Sequence, residues 1–313
     1  MKQVKLLMGI SFAAIFAAQP VLADSSAAVS TSSSPSNAFL ANVAKNLKAS
    51  YLFELIGPTT QSLSGNTDGN GTKLNINHYA GLGYRLGGKW SIGFTQPFSQ
   101  NIDEYEQNGL TADGRPAPDA FEAGDPYVSI NNSRIMGSNF LNATVSGQLR
   151  YYAPLSKATI NAANDAKSTE SGNGRFRALL NPAISVMDGA IEISAPTFFY
   201  YQLARRSDAE RAAANKGNPS RRDYRILPSL IVGYQATKDV QPYIEQGVLL
   251  NHFTHNNNRF SKFDDASDGY YVSPGANINV GKKLSLNVAA YLGPYAFNVK
   301  KSSLYFAATY VFL

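Results

Sequence analysis

The stretch LYFAATYVFL, residues 304–313, decides how the rest of the chain is read. Every second residue, Leu304, Phe306, Ala308, Tyr310 and Phe312, falls on one face. Apolar residues at a period of two mark a β-strand with one apolar side. The pattern runs to the last residue and closes on aromatic rings. The same period recurs upstream, at about 47–57, 72–86, 89–98, 126–135, 140–153, 175–187, 190–203, 223–235, 239–253, 269–280, 283–292 and 302–313. Twelve strands are therefore expected over residues 46–313.

The connections between them alternate in length. Short ones are Gly87-Gly88, Met136 to Asn139, Asp188-Gly189, Ala236 to Lys238 and Gly281-Lys282. Long ones cover roughly 58–71, 99–125, 154–174, 204–222, 254–268 and 293–301. The Gly-Gly, Asp-Gly and Gly-Lys pairs suit hairpins, because a two-residue turn needs positive φ. Alternating short and long links predict an all-β, up-and-down antiparallel barrel of about twelve strands. An even number puts both ends of the barrel on the short-turn rim. The repeating face is apolar: Leu74, Ile76, His78, Ala80, Leu82, Tyr84 and Leu86 in the second strand, Leu141, Ala143, Val145, Gly147, Leu149 and Tyr151 in the fifth. Neither set holds Asp, Glu, Lys or Arg. Tyr84, Trp90, Tyr234, Tyr310 and Phe312 lie near one rim; Tyr151, Tyr152, Tyr200, Tyr201, Tyr224, Tyr270 and Tyr271 lie toward the other. Two belts of amphipathic rings are what two membrane–water interfaces select. Pro182, Pro196, Pro228, Pro242 and Pro274 fall inside strands, so bulges or strand starts are expected there.

The closing strand resembles the C-terminal recognition strand of Gram-negative outer-membrane β-barrels, a class that includes porins and passive channels. In that class the last strand is read by the barrel-insertion machinery and seals against the first. Here Phe312 is penultimate and Leu313 follows. The resemblance implies short periplasmic turns, long extracellular loops, a place in the outer membrane among its lipid and lipopolysaccharide, and passage of small solutes. It admits a homo-oligomer. Gly124-Asp125-Pro126 before a strand and Tyr152-Ala153-Pro154 ending one are similar to barrel transporters linked to aromatic-compound uptake. Narrow twelve-stranded channels with arginine-lined pores for acidic sugars are a further analogue.

Composition agrees with export. Residues 1–23 have a basic start (Lys2, Lys5), an apolar run from Leu6 to Ala18, and Val21-Leu22-Ala23 as a small-residue cleavage site. That predicts a signal peptide, followed by a leader over 24–45 with a short helix from the spacing of Phe39, Leu40, Val43, Ala44 and Leu47. Removing residues 1–23 lowers the formal net charge from +6 to +4, too small and dispersed for nucleic acid. No cysteine is present, which excludes disulfides, thiolate metal sites and cysteine nucleophiles. After residue 23 no apolar run is long enough for a membrane-spanning helix.

The face opposite the apolar one carries the candidate site. It holds Lys48, Lys73, Arg85, Arg150, Arg175, Arg177 and Arg225 against Glu54, Glu192 and Glu245. A wall of fixed cations concentrates anions, and the planar fork of Arg suits carboxylates and phosphates. The second long loop is acidic, with Asp103, Glu104, Glu106, Asp113 and Asp119, then Glu122 and Asp125, against Arg115. Folded inward it would act as a constriction loop; left outside it is a solvated loop. Ser207 and Glu210 make a capping box that predicts a short helix ending at Gly217, ringed by Arg205, Arg206, Arg211, Arg221 and Arg222. These arginines suit lipopolysaccharide phosphates or a solvated rim.

Enzyme chemistry is poorly represented. His252 and Thr254 share a face at a spacing distantly similar to the His-x-Ser pair of the twelve-stranded phospholipase class, with Thr in place of Ser and no third group assignable. NTDGNG (66–71) and FDDASDG (263–269) lack full calcium-ligand spacing and suit turns. No cofactor, metal or nucleotide fingerprint is expected. The expected function is a porin-like outer-membrane channel for small polar, anionic solutes, not an enzyme. The alternatives are a non-conducting structural or adhesive barrel, an uptake channel for small apolar or aromatic compounds, and last a phospholipase-type barrel.

Overall fold

The computed structural model describes residues 43, 45–57, 75–101, 121–157, 159–160, 174–203, 222–248, 250–253, 259–260, 270–292 and 303–312. Twelve strands make the wall: β1 (Leu47–Ile56), β2 (Asn75–Gly87), β3 (Trp90–Asn101), β4 (Tyr127–Gly137), β5 (Thr144–Tyr152) and β6 (Arg175–Val186). β7 follows in two pieces (Ile191–Ser194 and Thr197–Gln202), then β8 (Arg222–Tyr234), and β9 again in two (Val240–Val248 and Leu250–Phe253). β10 (Tyr270–Val280), β11 (Leu284–Tyr291) and β12 (Ser303–Val311) complete it. Each strand pairs antiparallel with the next. β12 then pairs with β1, from Ser50 opposite Val311 to Ile56 opposite Tyr305, and the barrel closes. Closure gives each of the twelve strands a partner on both sides, which a bilayer demands because it offers exposed N–H and C=O groups no partner. Two short ladders extend the wall at the long-loop rim, Glu122–Ala123 on β3 and Arg259–Phe260 on β9.

Alternation sorts the two faces. The outward sets of β1, β2, β5, β6, β11 and β12 hold no Asp, Glu, Lys or Arg. Leu82, Phe94, Ile130, Leu149, Leu180, Leu230, Ile244, Val288 and Leu304 stand exposed on that surface. In water such a continuous apolar girdle would aggregate; against hydrocarbon it is the stable arrangement. Among the described residues no helix is long and apolar enough to cross a membrane. His78 keeps its place on the outer face through a hydrogen bond to Tyr51 Oη at 2.5 Å, with Phe53 and Phe121 rings around it.

Three expectations need correction. First, the upper aromatic belt is thinner than expected. Tyr151, Tyr201, Tyr224 and Tyr270 point outward, but Tyr152, Tyr200 and Tyr271 turn into the barrel, because adjacent residues of a strand face opposite sides. Second, the prolines do not make bulges. The register is the same on both sides of Pro196 in its pairing with β6 and with β8. The prolines keep their acceptor roles: Ala195 N–H donates to Pro182 O at 2.9 Å and Ser229 N–H to Pro196 O at 2.9 Å. One missing bond costs less than a one-residue slip, which would turn every apolar side chain inward. At Pro196 the ladder lapses and restarts at Thr197, in line with the alternative expectation of a strand start. Bulges occur elsewhere, between Arg85 and Gly87, between Asn132 and Met136, and between Arg222 and Tyr224. Third, residues 140–142 form a turn, not the start of β5. Leu141 and Asn142 have φ of 51° and 46°, and β5 begins at Thr144. The expected capping-box helix near Ser207 and the two Asp/Gly-rich turns lie outside the described residues. Of the expected leader helix, Val43, Lys45 and Asn46 are described and are helical.

A candidate binding site inside the barrel

The interior has two unlike walls. On the arc from β6 to β12 it is padded with apolar and aromatic side chains. Leu179, Phe198, Leu227 and Tyr271 pack together, with Tyr200 and Tyr291 against them. Ile231, Tyr243, Ala289, Tyr305 and Ala307 form a second cluster with Leu52 and Ile56. Two of these tyrosines lie flat over glycines. A Cβ on Gly247 would sit 2.6 Å from Tyr271 Cζ, and one on Gly275 would sit 2.6 Å from Tyr243 Cζ. The glycines thus let the rings hug the wall and leave the axis clear. Ring hydroxyls of this arc hold two acids: Tyr271 Oη donates to Glu245 Oε1 on β9 at 2.7 Å, and Tyr305 Oη to Glu54 Oε1 on the adjoining β1 at 3.0 Å. Both carboxylates are buried in the wall.

The arc from β3 to β6 is polar and basic. Arg150 on β5 and Arg177 on β6 are direct cross-strand partners, and Arg175 stands opposite Tyr152. Directly paired residues are roughly 5 Å apart between Cα atoms, and alternate residues of a strand about 7 Å. Each guanidinium lies on an aromatic face. Arg150 covers Tyr127 and Arg175 covers Tyr152, both at 4.4 Å to the ring centre; Arg177 sits 5.1 Å from the centre of Phe198. These contacts offset part of the cost of burying cations. They do not remove the repulsion, on the order of 3 kcal/mol for two unit charges about 6 Å apart at an effective dielectric near 20. Among the described residues none of the three has a carboxylate partner, and the Nε of each is buried without a hydrogen bond. Arg177, 4% exposed, donates from Nη2 to Gln148 Oε1 at 2.5 Å. From there a side-chain chain crosses the wall: Gln148 Nε2 donates to Asn131 Oδ1, and Asn131 Nδ2 to Ser91 Oγ at 3.5 Å.

That chain ends at a cavity of about 540 Å³ toward the short-turn rim, lined in part by Asn131 and Ser91. Its cations are Lys48, Arg85 and Lys89, and its lining includes no acid. Small residues keep it open. Gly81 and Gly93 face inward so closely to Ser50 and Ser129 that a Cβ would meet the hydroxyls at 2.9 and 3.0 Å. A basic track therefore descends from the arginines near the long-loop rim to the lysines at the short-turn rim. Glu54 on β1 and Glu245 on β9 flank the arc that lies across a twelve-membered ring from β5 and β6.

The inner face includes Lys48, Arg85, Arg150, Arg175, Arg177, Arg225, Glu54, Glu192 and Glu245 by register. Glu192 stands apart from the arginines, in a recess of about 20 Å³ where Gln241 Nε2 donates to its Oε2 at 3.4 Å. Lys73 and the acidic loop residues Asp103, Glu104, Glu106, Asp113 and Asp119 lie outside the described residues, as do Thr254 and the side chain of His252. Asp125, at the end of that loop, is engaged elsewhere: it accepts from Ser156 N–H at 2.8 Å and from Thr159 Oγ1 at 2.6 Å, tying the bases of two long loops together. Sequence reasoning missed the inner aromatic lining, above all Tyr127, Tyr152, Phe198 and Tyr271. The signal was available: each Tyr-Tyr doublet must send one ring to each face.

No family model matches the chain, and no curated protein matches it. Among solved structures it is similar to the COG4313 outer membrane channel from Pseudomonas putida F1, with 13% identity, a TM-score of 0.49, and coverage of 85% of this chain and 96% of that one. It is also similar to Salmonella typhi OmpF in complex with daunomycin, with 7% identity, a TM-score of 0.36, and coverage of 85% and 97%. The closed ladder of twelve strands and its uncharged apolar girdle are themselves the architecture of an outer-membrane β-barrel.

Proposed function

We propose that this barrel is an outer-membrane channel through which small polar anions diffuse passively. The observation that carries the proposal is the group Arg150, Arg175 and Arg177 on the inner wall, the first two half-buried and Arg177 buried, with no carboxylate partner among the described residues. Fixed cations in a low-dielectric wall lower the entry barrier for anions and raise it for cations. The basic cavity around Lys48, Arg85 and Lys89 extends the same field toward the other rim. The tyrosine-held acids Glu54 and Glu245 lie on the opposite arc, so a solute crosses between unlike charges. Export by a signal peptide over residues 1–23 and insertion through the closing strand belong to the same proposal. A second proposal, uptake of small apolar or aromatic compounds, is favoured by the cluster of Leu179, Phe198 and Leu227 on the inner wall.

Planar bilayers with a salt gradient separate the two. The channel reading requires discrete conductance steps and a reversal potential displaced toward the anion. Replacing Arg150, Arg175 and Arg177 together with Gln should move that potential most of the way to neutrality. Steps with unchanged cation-to-anion preference in that variant would exclude the arginines from the conducting path, and silence of the wild type would favour a non-conducting barrel.

A further inference from the structure

We infer that Arg150, Arg175 and Arg177 form a saturable binding site for a short aliphatic dicarboxylate, in addition to any general anion preference. The inference rests on the channel proposal and narrows it to a substrate class. Three features lead there.

The first is spacing. Arg150 and Arg177 are cross-strand partners and Arg175 is two residues along β6. The side chains therefore originate roughly 5 Å apart for Arg150 and Arg177, about 7 Å for Arg175 and Arg177, and about 8 Å for the diagonal pair Arg150 and Arg175. A monovalent anion leaves two of the three charges uncompensated, whereas a solute with two carboxylates separated by about two or three methylenes spans the group and neutralises two guanidiniums at once.

The second is the orientation of the guanidiniums. Tyr127, Tyr152 and Phe198 already occupy one face of each. Recognition must then use the in-plane N–H edges. The Nε hydrogens are buried and unpartnered, and Arg177 Nη2 is held by the neutral amide of Gln148. With Nε turned into the wall, the Nη–H groups are the edge left to meet a carboxylate end-on. The rings are spent on the arginines, so they offer no free face to an aromatic solute.

The third is what lies beside the charges. Leu179, two residues past Arg177, packs on Phe198. This apolar side chain beside the guanidiniums suits a methylene linker.

The test uses the full barrel in planar bilayers, with chloride current as the readout and sodium succinate, glutarate, acetate and phosphate as probes. Succinate or glutarate should lower the chloride current along a saturating curve, with half-effect at least tenfold below any effect of acetate. The triple change R150Q/R175Q/R177Q should abolish the saturation. R177K, which keeps the charge but loses the fork, should weaken it by about tenfold. Assembly of each variant is checked by heat-modifiable gel mobility, and Lys238→Gln on an exposed turn serves as the control that keeps the wild-type curve. An anion-preferring channel with no saturation by any dicarboxylate would overturn this inference and leave the channel proposal standing. Loss of anion preference in the wild type would sink both. Phosphate saturating at lower concentration than succinate would overturn the dicarboxylate assignment, because the site would then respond to charge density and not to spacing.

Discussion

Tyr271 lies against Gly247 because nothing else fits beneath it. Its ring carbons stand 2.6–2.7 Å from the position of a Cβ there, and its hydroxyl reaches Glu245 from that pose. Gly247→Ala should therefore lift the ring off the wall, break the bond to Glu245 and push an aromatic group toward the axis. Overpacking of this kind costs typically about 1–3 kcal/mol. The variant is expected to unfold at lower urea concentration in detergent micelles and to conduct less per channel. Unchanged conductance and stability would mean that the ring has room to slide along the wall. The same residue-scale logic accounts for Gln96. Pro97 and Pro126 both lack N–H groups where β3 and β4 part, and Gln96 Nε2 supplies donors instead, to Pro97 O at 2.9 Å and to Gly124 O at 3.0 Å. A polar side chain on an apolar face is thus explained by the two prolines beside it.

Strands are the most legible part of the sequence, and for a simple reason. A period of two survives errors of a few residues at the ends, so the positions and faces of β2, β8, β11 and β12 follow from residue order alone. The outer face of β12 illustrates the consequence. Ala308 points outward, beside Leu286 on β11 and Phe53 on β1. Ala308→Arg should destabilise the inserted barrel by about 2–4 kcal/mol, the cost of a cation on the lipid face near mid-depth. Urea titration in lipid vesicles measures it, and a neutral result would place this surface in protein or water. How inner side chains meet is not legible in the same way. The arginines of β5 and β6 stand out singly, since each sits on the inner register. Their stacking on Tyr127, Tyr152 and Phe198 depends on cross-strand register, which sequence spacing alone does not set across the long loops. The bulges expected at the prolines fail for the same reason: a missing donor looks costly within one strand, but its neighbours keep the register and bond to its carbonyl.

At the scale of the whole molecule the barrel is lopsided inside and uniform outside. The apolar arc stiffens one side, the basic track runs down the other, and the girdle around both is unbroken by charge in the strands that carry it. The uniform exterior also isolates one reporter. Trp90 is the sole tryptophan of the chain, stands 50% exposed, and points outward beside Gly87 and Gly88 at the short-turn rim. All indole fluorescence of the protein therefore comes from a single height. In vesicles it should be quenched more by lipids brominated near the headgroup than by lipids brominated near the bilayer centre, and its emission should shift to the red when urea unfolds the chain. The reverse order of quenching would move the short-turn rim into the hydrocarbon. The barrel thus carries its own optical depth gauge, usable without adding a label.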